Sequence, residues 1–260
     1  MSKSPAIFLA LVCSGAASAA PVTKTVSYKV GDTEFQSTLV YDDASKNPRP
    51  GLVMFPNWYG ANQASIEKAK TIAGKDYVIL LADVYGKDVR PKNDDEARKA
   101  VGAAYSDPKA VVARADRALQ ALKDEAKTAP IDLKRNGAIG FCFGGSVALD
   151  LARSGADLPA VVTFHGALKT ADPAAAKNIK GSLLILNGAE DKYVGDQVAG
   201  FEKEMTDAKV DYQFVNFAGA VHCFAEPDQN SPPDCMYNPR AAKRAYRMMH
   251  AHFDEVFSSK

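Results

Sequence analysis

Short apolar runs alternate with helical patterns along most of this chain of 260 residues. Each run has the length of one buried strand, and the runs cover residues 51–55, 77–81, 137–141, 160–164, 182–186 and 212–216. Strands that are apolar on both faces are typical of parallel sheets with helices on either side. The alternation therefore predicts an α/β fold in which helices flank a mostly parallel sheet.

A hairpin and several helices complete this outline. Two β-rich runs between residues 22 and 41 flank Gly31-Asp32 and predict an N-terminal β-hairpin. Helical patterns cover residues 62–73, 108–126, 145–153 and 238–257, whereas residues 87–95 are polar and predict a loop. Neither an internal repeat nor a second domain boundary is evident. Residues 20–260 are therefore predicted to form a single domain.

The first 19 residues are predicted to be a secretory signal peptide. Lys3 precedes a short apolar stretch at residues 7–12, and Ala17-Ser18-Ala19 fits a cleavage site of small residues. The apolar stretch is too short to span a bilayer. We therefore expect a periplasmic or secreted protein without membrane contact after cleavage. A buried N-terminal helix is the alternative interpretation.

Charge and motif content argue against several classes of function. The chain carries 32 Lys and Arg and 31 Asp and Glu without a basic block, so nucleic-acid binding is not expected. H-E-x-x-H, paired CxxC and clustered carboxylates are missing, which argues against a metal site. No G-x-G-x-x-G follows an early strand, so we do not expect a dinucleotide.

Three cysteines follow the predicted cleavage site. An odd number in an oxidising compartment suggests one disulfide and one free thiol. Cys223 and Cys235 could close a loop around the sequence PDQNSPPD, which would leave Cys142 free. The alternative, in which all three are reduced, stays open.

Cys142 lies in the sequence GFCFGG, between the predicted strand 137–141 and a predicted helix. The glycines permit a sharp turn that would lift the cysteine side chain above the sheet. This arrangement resembles the G-x-S-x-G nucleophile elbow of α/β-hydrolases, with cysteine in place of serine. Free N–H groups at the start of the helix would favour the reactive thiolate. A structural cysteine before a glycine-rich turn is the alternative.

A base and an orienting acid follow in the chain order of α/β-hydrolases. Asp191 comes after the predicted strand 182–186 and His222 after the strand 212–216, so both fall at the carboxyl edge of the sheet. Cys142, Asp191 and His222 are therefore the predicted catalytic triad, with Glu190 as an alternative acid. The other histidines receive no catalytic role: His165 is expected near the cleft, and His250 and His252 at the surface or in packing.

An acyl-transfer site also needs two N–H groups to stabilise an oxyanion. The backbone N–H of Phe143, next to the nucleophile, is the first candidate. The second is expected from the loop PNWYG at residues 56–60, where the backbone of Trp58 is best placed. An aromatic turn that covers the core is the alternative interpretation of this loop.

The sequence resembles the dienelactone hydrolase family over nearly all of the chain after residue 19. The shared motifs are GFCFGG, PNWYG, ADVYG at residues 82–86, NGAEDKYV at residues 187–194 and AVHCF at residues 220–224. The resemblance implies an α/β-hydrolase fold, a triad at Cys142, Asp191 and His222, and hydrolysis of a lactone or ester without a cofactor.

Two positions depart from the family pattern. Known members carry a glutamate that contacts the resting thiol, where this chain has Asn57, which is expected to contact substrate. They also carry an arginine that holds the substrate carboxylate, where this chain has Glu226, and its like charge would repel an anionic ligand. Candidate replacements for that cation are Arg90, Arg98 and Lys99.

These observations favour an exported hydrolase of small esters or lactones that forms an acyl-enzyme on Cys142. We expect a small-molecule substrate and a monomer or homodimer. The departures at Asn57 and Glu226 keep open a non-catalytic or redox-sensing binding module on a hydrolase scaffold. A thiol–disulfide exchange protein is disfavoured because the chain has no CxxC pair.

Overall fold

An eight-stranded sheet forms the centre of the computed structural model, which describes residues 21–258. Its strands are β1 (Pro21–Val30), β2 (Thr33–Asp42), β3 (Arg49–Phe55), β4 (Val78–Leu81), β5 (Ile131–Phe141), β6 (Ala160–Phe164), β7 (Ser182–Gly188) and β8 (Tyr212–Phe217). They lie side by side in the order β1-β2-β4-β3-β5-β6-β7-β8. Strand β2 is antiparallel to both of its neighbours, and all other pairs are parallel. The predicted mostly parallel sheet is confirmed.

Helices cover both faces of this sheet. They are α1 (Gln63–Ala73), α2 (Asp94–Ser106), α3 (Pro108–Asp124), α4 (Phe143–Arg153), α5 (Val198–Ala208) and α6 (Pro239–Ser258), with short 3₁₀ helices at Glu125–Lys127, Pro173–Asn178 and Gly195–Gln197. Val53 and Phe55 of β3 pack in the apolar layer under α3, α4 and α5, whereas Leu52 and Met54 face the layer under α1 and α6. Both faces of the strand are buried, which explains its continuous apolar sequence.

The N-terminal hairpin is also present as predicted. Strands β1 and β2 pair along their whole length, from Pro21 with Asp42 to Val30 with Thr33. Gly31 in the connecting turn has a φ angle of 57°, a conformation that glycine adopts without steric cost. The signal peptide predicted at residues 1–19 lies outside the described residues.

The structure differs from the sequence prediction most clearly at β5, α2 and α4. Strand β5 begins at Ile131 rather than at residue 137, because its irregular first part pairs with β3 although Leu133 and Lys134 are exposed. Helix α2 was not predicted, since Ala97 and Ala104 are its only buried side chains and they give a weak periodic signal. Helix α4 begins at Phe143, directly after the cysteine.

A small two-stranded ribbon lies beside the carboxyl edge of the sheet. Its strands are β9 (Asn230–Ser231) and β10 (Cys235–Met236), which pair antiparallel. A disulfide joins Cys223 to Cys235, and Cys142 is free. Of the helices within residues 21–258, none is both long enough and apolar enough to cross a membrane.

Candidate active site

Three loops at the carboxyl edge of the sheet bring together the predicted triad. Cys142 lies between β5 and α4, Asp191 follows β7, and His222 follows β8. The Sγ atom of Cys142 is 3.2 Å from Nε2 of His222. Nδ1 of the same ring is 2.7 Å from Oδ2 of Asp191. Sulfur, imidazole and carboxylate therefore form one continuous chain of contacts.

Cys142 occupies a strained turn. Its φ and ψ angles are 51° and −120°, which a residue other than glycine rarely adopts. The N–H of Cys142 donates to the carbonyl oxygen of Phe164 in β6 at 3.0 Å, so the neighbouring strand holds the turn in place. A side chain on Gly144 would collide with the carbonyl of Phe55, and only glycine permits this close approach of helix and strand.

The carboxylate of Asp191 is held on both of its oxygens. Oδ1 accepts a hydrogen bond from the N–H of Tyr193 at 2.9 Å, and Oδ2 faces His222. The side chain is fully buried, so water does not compete for either oxygen. Glu190 instead is exposed and accepts from the N–H of Gly219. Asp191, and not the alternative acid Glu190, contacts the histidine.

The charges around His222 favour its protonated form. Burial alone would lower the pKa of His222, but hydrogen bonds to Asp191 and Cys142 outweigh burial and raise the pKa to about 10. The backbone of His222 is fixed by the N–H of Met236 in β10, which donates to its carbonyl oxygen at 3.0 Å.

The two N–H groups predicted for an oxyanion hole are free donors. Within residues 21–258, the N–H groups of Phe143 and Trp58 have no hydrogen-bond acceptor. Phe143 is the first residue of α4, where the N–H groups lack intrahelical partners. Tyr85 donates its hydroxyl to the carbonyl oxygen of Trp58 at 2.9 Å and so restrains the peptide unit directly after the second donor.

The profile of the dienelactone hydrolase family matches residues 36–257. The chain belongs to the dienelactone hydrolase family. The resemblance seen in its motifs is thereby confirmed, and its sheet and helices form the α/β-hydrolase fold of that family. The chain is accordingly a member of a family of hydrolases.

Similar proteins include solved structures and a curated relative. The structure called m3DLH is 34% identical, has a TM-score of 0.84, and aligns over 91% of this chain and 98% of its own. A dienelactone hydrolase-like promiscuous phosphotriesterase from metagenomic libraries is 33% identical, with a TM-score of 0.83 over 91% of this chain and 99% of its own. A Bradyrhizobium protein named "probable 2-oxo-3-(5-oxofuran-2-ylidene)propanoate lactonase" is 25% identical over 76% of this chain and 80% of its own.

In this member of the dienelactone hydrolase family, the triad opens into a cavity of about 600 Å³. Five aromatic side chains contribute to its wall, namely Trp58, Tyr59, Tyr105, Phe143 and Tyr193. Sequence reasoning did not find Tyr105, because α2 itself was not predicted. It also gave no role to Tyr193, although this residue lies in the quoted acid-loop motif. Such a cavity accommodates a small and partly apolar molecule.

The two departures from the family pattern meet each other in the fold. Asn57 lines the cavity and donates from Nδ2 to Oε1 of Glu226 at 2.9 Å. Lys68 forms an ion pair with the same oxygen. The charge of Lys68 therefore balances that of the Glu226 carboxylate, which is not a free negative charge in the cavity. Sequence reasoning missed Lys68, because a single lysine in an amphipathic helix carries no signal of its buried partner.

The cationic candidates are placed differently. Arg98 lines the cavity, although its side chain is 64% exposed and bonded to Asp95. Arg90 pairs with buried Asp83 and supports a turn, and Lys99 is not part of the cavity wall. Of the three, only Arg98 lines the cavity.

The remaining histidines lie outside the cavity wall. His165 lies near the cleft as expected, buried beside the ring of His222 at 5.0 Å between ring centroids, but it does not line the cavity. Burial, with the charges of His222 and Lys68, lowers the pKa of His165 well below its ordinary value, which keeps it neutral. His252 is buried in α6 and His250 stacks on Tyr77. Within residues 21–258, no group of His, Cys, Asp and Glu has the geometry to hold a metal ion.

Proposed function

We propose that this protein is an exported hydrolase of small esters or lactones that acts through an acyl-enzyme on Cys142. The observation that carries the proposal is the chain of contacts from Sγ through His222 to Asp191, at 3.2 and 2.7 Å. A partly exposed thiol at a strained turn beside a buried imidazolium has the environment of a reactive cysteine.

Acylation begins from the thiolate–imidazolium pair. Sγ of Cys142 attacks the carbonyl carbon, and the carbonyl oxygen gains the negative charge of a tetrahedral intermediate. The N–H groups of Phe143 and Trp58 stabilise this oxyanion. As the intermediate collapses, the C–O bond to the leaving group breaks and Nε2 of His222 gives its proton to the departing alkoxide. A thioester on Cys142 remains.

Deacylation reverses these proton transfers. Neutral His222 accepts a proton from water through Nε2, and the resulting hydroxide attacks the thioester carbonyl. The second tetrahedral intermediate uses the same two N–H groups. Its collapse breaks the C–S bond and restores the thiolate beside the imidazolium, and the acid product leaves. With a lactone, the alcohol stays attached to the acyl group, so one hydroxy acid is released.

The disulfide supports the export that we propose together with the signal peptide. Cys223 and Cys235 are bonded within the loop that carries the histidine. Disulfides persist in oxidising compartments and are rare in the cytosol. A periplasmic or secreted location is therefore proposed for the mature protein.

The direct test is ester hydrolysis by the mature protein and by Cys142→Ala. We expect the parent to hydrolyse p-nitrophenyl acetate and members of a panel of neutral esters, lactones and an aryl phosphotriester. The alanine variant is expected to lose this turnover while its circular dichroism and thermal unfolding match the parent. Intact-protein mass spectrometry after an acid quench should find the acyl group on the parent only.

Two outcomes contradict the proposal. Turnover of the alanine variant at the parental rate removes Cys142 from the chemistry. A parent that hydrolyses no member of the panel, but whose Cys142 is rapidly alkylated by iodoacetamide, favours the redox-sensing or binding module instead.

A further inference from the structure

The loop that carries Trp58 is fastened through the side chain of the preceding residue. Oδ1 of Asn57 accepts from the N–H of Tyr59 at 3.0 Å, and its backbone carbonyl accepts from Gly60 at 2.9 Å. These bonds close a tight turn around the peptide of Trp58. The direction of the Trp58 N–H therefore depends on where the side chain of Asn57 is held.

Glu226 holds that side chain. Its carboxylate is fully buried, and Oε1 accepts from Nδ2 of Asn57 at 2.9 Å and also pairs with Lys68. The other oxygen, Oε2, has no hydrogen-bond partner and lies 3.7 Å from Nε2 of neutral His165. Oε1 is thus the oxygen that anchors the loop.

This anchor joins two parts of the active site. Glu226 lies four residues after His222, while Asn57 and Lys68 lie on either side of the turn that leads from β3 into α1. One carboxylate oxygen from the histidine loop therefore fixes both ends of the segment that presents Trp58. Burying the Lys68–Glu226 pair costs desolvation energy and adds little stability relative to apolar residues, so a positioning role accounts for it better than stability does.

We propose that Glu226, balanced by Lys68, is a positioning residue for the oxyanion donor of Trp58, an inference that rests on the proposed function. Glu226 lies at the cavity wall, but its side chain is fully buried and its Oε1 is already occupied by Asn57 and Lys68. It acts through Asn57 by keeping one N–H group aimed at the site where the oxyanion develops. Misplacing such a donor by about 1 Å costs on the order of 10²-fold in rate.

Two reactions of the same thiolate separate this role from a structural one. Ester hydrolysis forms an oxyanion and needs the Trp58 N–H. Alkylation of Cys142 by iodoacetamide is a direct displacement at carbon, which forms no oxyanion. A misplaced donor should therefore slow the first reaction and leave the second unchanged, whereas a general disturbance of the site slows both.

The experiment compares two double variants that differ in one hydrogen-bond acceptor. Lys68→Met with Glu226→Leu removes both charges and the acceptor, whereas Lys68→Met with Glu226→Gln removes both charges and keeps an acceptor for Asn57. We expect kcat for p-nitrophenyl acetate to fall about 10- to 100-fold in the first variant, with little change in KM. The second variant should stay near the parent, and alkylation rates should agree within about twofold in all proteins.

A second buried ion pair supplies the control. Arg153, the last residue of α4, and Glu204 in α5 pair at 2.8 Å with both side chains 4% exposed. Arg153→Met with Glu204→Leu should keep the parental ratio of turnover to alkylation. Asn57→Ala, which leaves the Lys68–Glu226 pair intact, should reproduce the leucine variant and so covers the case in which that variant does not fold.

The outcomes distinguish the two proposals. Equal turnover by the leucine and glutamine variants, or a parallel loss of alkylation, overturns the positioning role. An Asn57→Ala variant with parental turnover overturns it as well. A parent without ester turnover instead refutes the proposed hydrolase function.

Discussion

Nδ1 of His222 lies 2.7 Å from Oδ2 of Asp191, in a contact that joins loops after two neighbouring strands. The carboxylate is fully buried, and the ring is only slightly exposed. This contact orients the imidazole so that its other nitrogen, Nε2, faces the sulfur of Cys142. It also supplies the negative charge that favours the imidazolium.

Replacing this carboxylate by an amide tests its role. In Asp191→Asn, an uncharged side chain no longer stabilises the imidazolium and can present N–H to Nδ1, which selects the wrong tautomer. We expect kcat/KM for a neutral p-nitrophenyl ester to fall on the order of 10³- to 10⁴-fold. The matched control is Glu190→Gln, because Glu190 is exposed and bonds only the backbone of Gly219. A normal rate for Asp191→Asn with a large loss for Glu190→Gln would reverse the assignment of the acid.

The raised pKa of His222 predicts how the reaction depends on pH. The ring keeps its proton until the pH approaches about 10, so the general acid is present at neutral and mildly alkaline pH. Above that value kcat/KM for alkyl esters, whose alkoxide needs a proton, should decline. Aryl esters with good leaving groups should decline less. Initial rates, corrected with Cys142→Ala for background hydrolysis, measure both profiles.

The raised pKa of His222 also determines how the stability of the fold depends on pH. Because the folded-state pKa lies above the ordinary value of 6.5, protonation of His222 favours the folded state. This contribution is complete below pH 6.5 and is lost as the pH rises towards about 10. In the kinetic experiment, an equal decline of kcat/KM for alkyl and aryl esters well below pH 10 would contradict the assignment of His222 as the general acid.

Removing the disulfide should disturb the position of His222 and leave the central sheet intact. Cys223 directly follows His222, and β10, which holds Cys235, also supplies the N–H that binds the His222 carbonyl. In Cys223→Ser with Cys235→Ser, we expect the free energy of unfolding to fall by about 2–4 kcal/mol. Ester turnover should fall as well, while the circular dichroism of the native protein is retained.

Dithiothreitol gives the matching measurement on the unmodified chain. It should lower the turnover of the parent and leave the double serine variant unaffected, since that variant has no bond to reduce. Loss of activity in both proteins would place the effect elsewhere, and no loss in either would separate the disulfide from the site.

The charges of the cavity predict a preference for neutral substrates. Arg98 is the only Lys or Arg among the described residues of the wall, and Asp94 and Asp234 also line it. We therefore expect methyl p-nitrophenyl succinate to exceed mono-p-nitrophenyl succinate in kcat/KM by about tenfold, as one unfavourable charge interaction of moderate range implies. Competition assays at constant ionic strength measure the ratio. A preference for the monoanion would identify Arg98 as a carboxylate clamp, and Arg98→Ala should then abolish that preference.

The fold was predictable where burial is symmetrical. Strand β3 is covered on both faces and appears in the sequence as an uninterrupted apolar run, so it was located correctly. The first part of β5 is partly exposed and the alanine-rich helix α2 buries only two small side chains, and their sequences therefore give a weak signal. Short-range patterns report burial, and they fail where an element is held mainly by its backbone.

The candidate site, too, was predictable only in part. Cys142, Asp191 and His222 could be expected to meet because each follows a parallel strand, and the carboxyl ends of such strands share one edge. The pairing of Lys68 with Glu226 links positions 158 residues apart and depends on the packing of α1 against the histidine loop. No local pattern reports that distance, so Glu226 seemed in the sequence to be a free charge.

The turn around Cys142 contains two glycines that leave no room for a side chain, and between them the residue that carries the reactive group. A side chain on Gly140 would strike the backbone of Gly144, and one on Gly144 would strike the backbone of Phe55. A side chain at either glycine position would therefore displace backbone atoms, whereas the side chain of Cys142 lines the cavity. Replacing Cys142 by serine would therefore exchange the thiol for a hydroxyl nucleophile and leave the glycines of the turn unchanged.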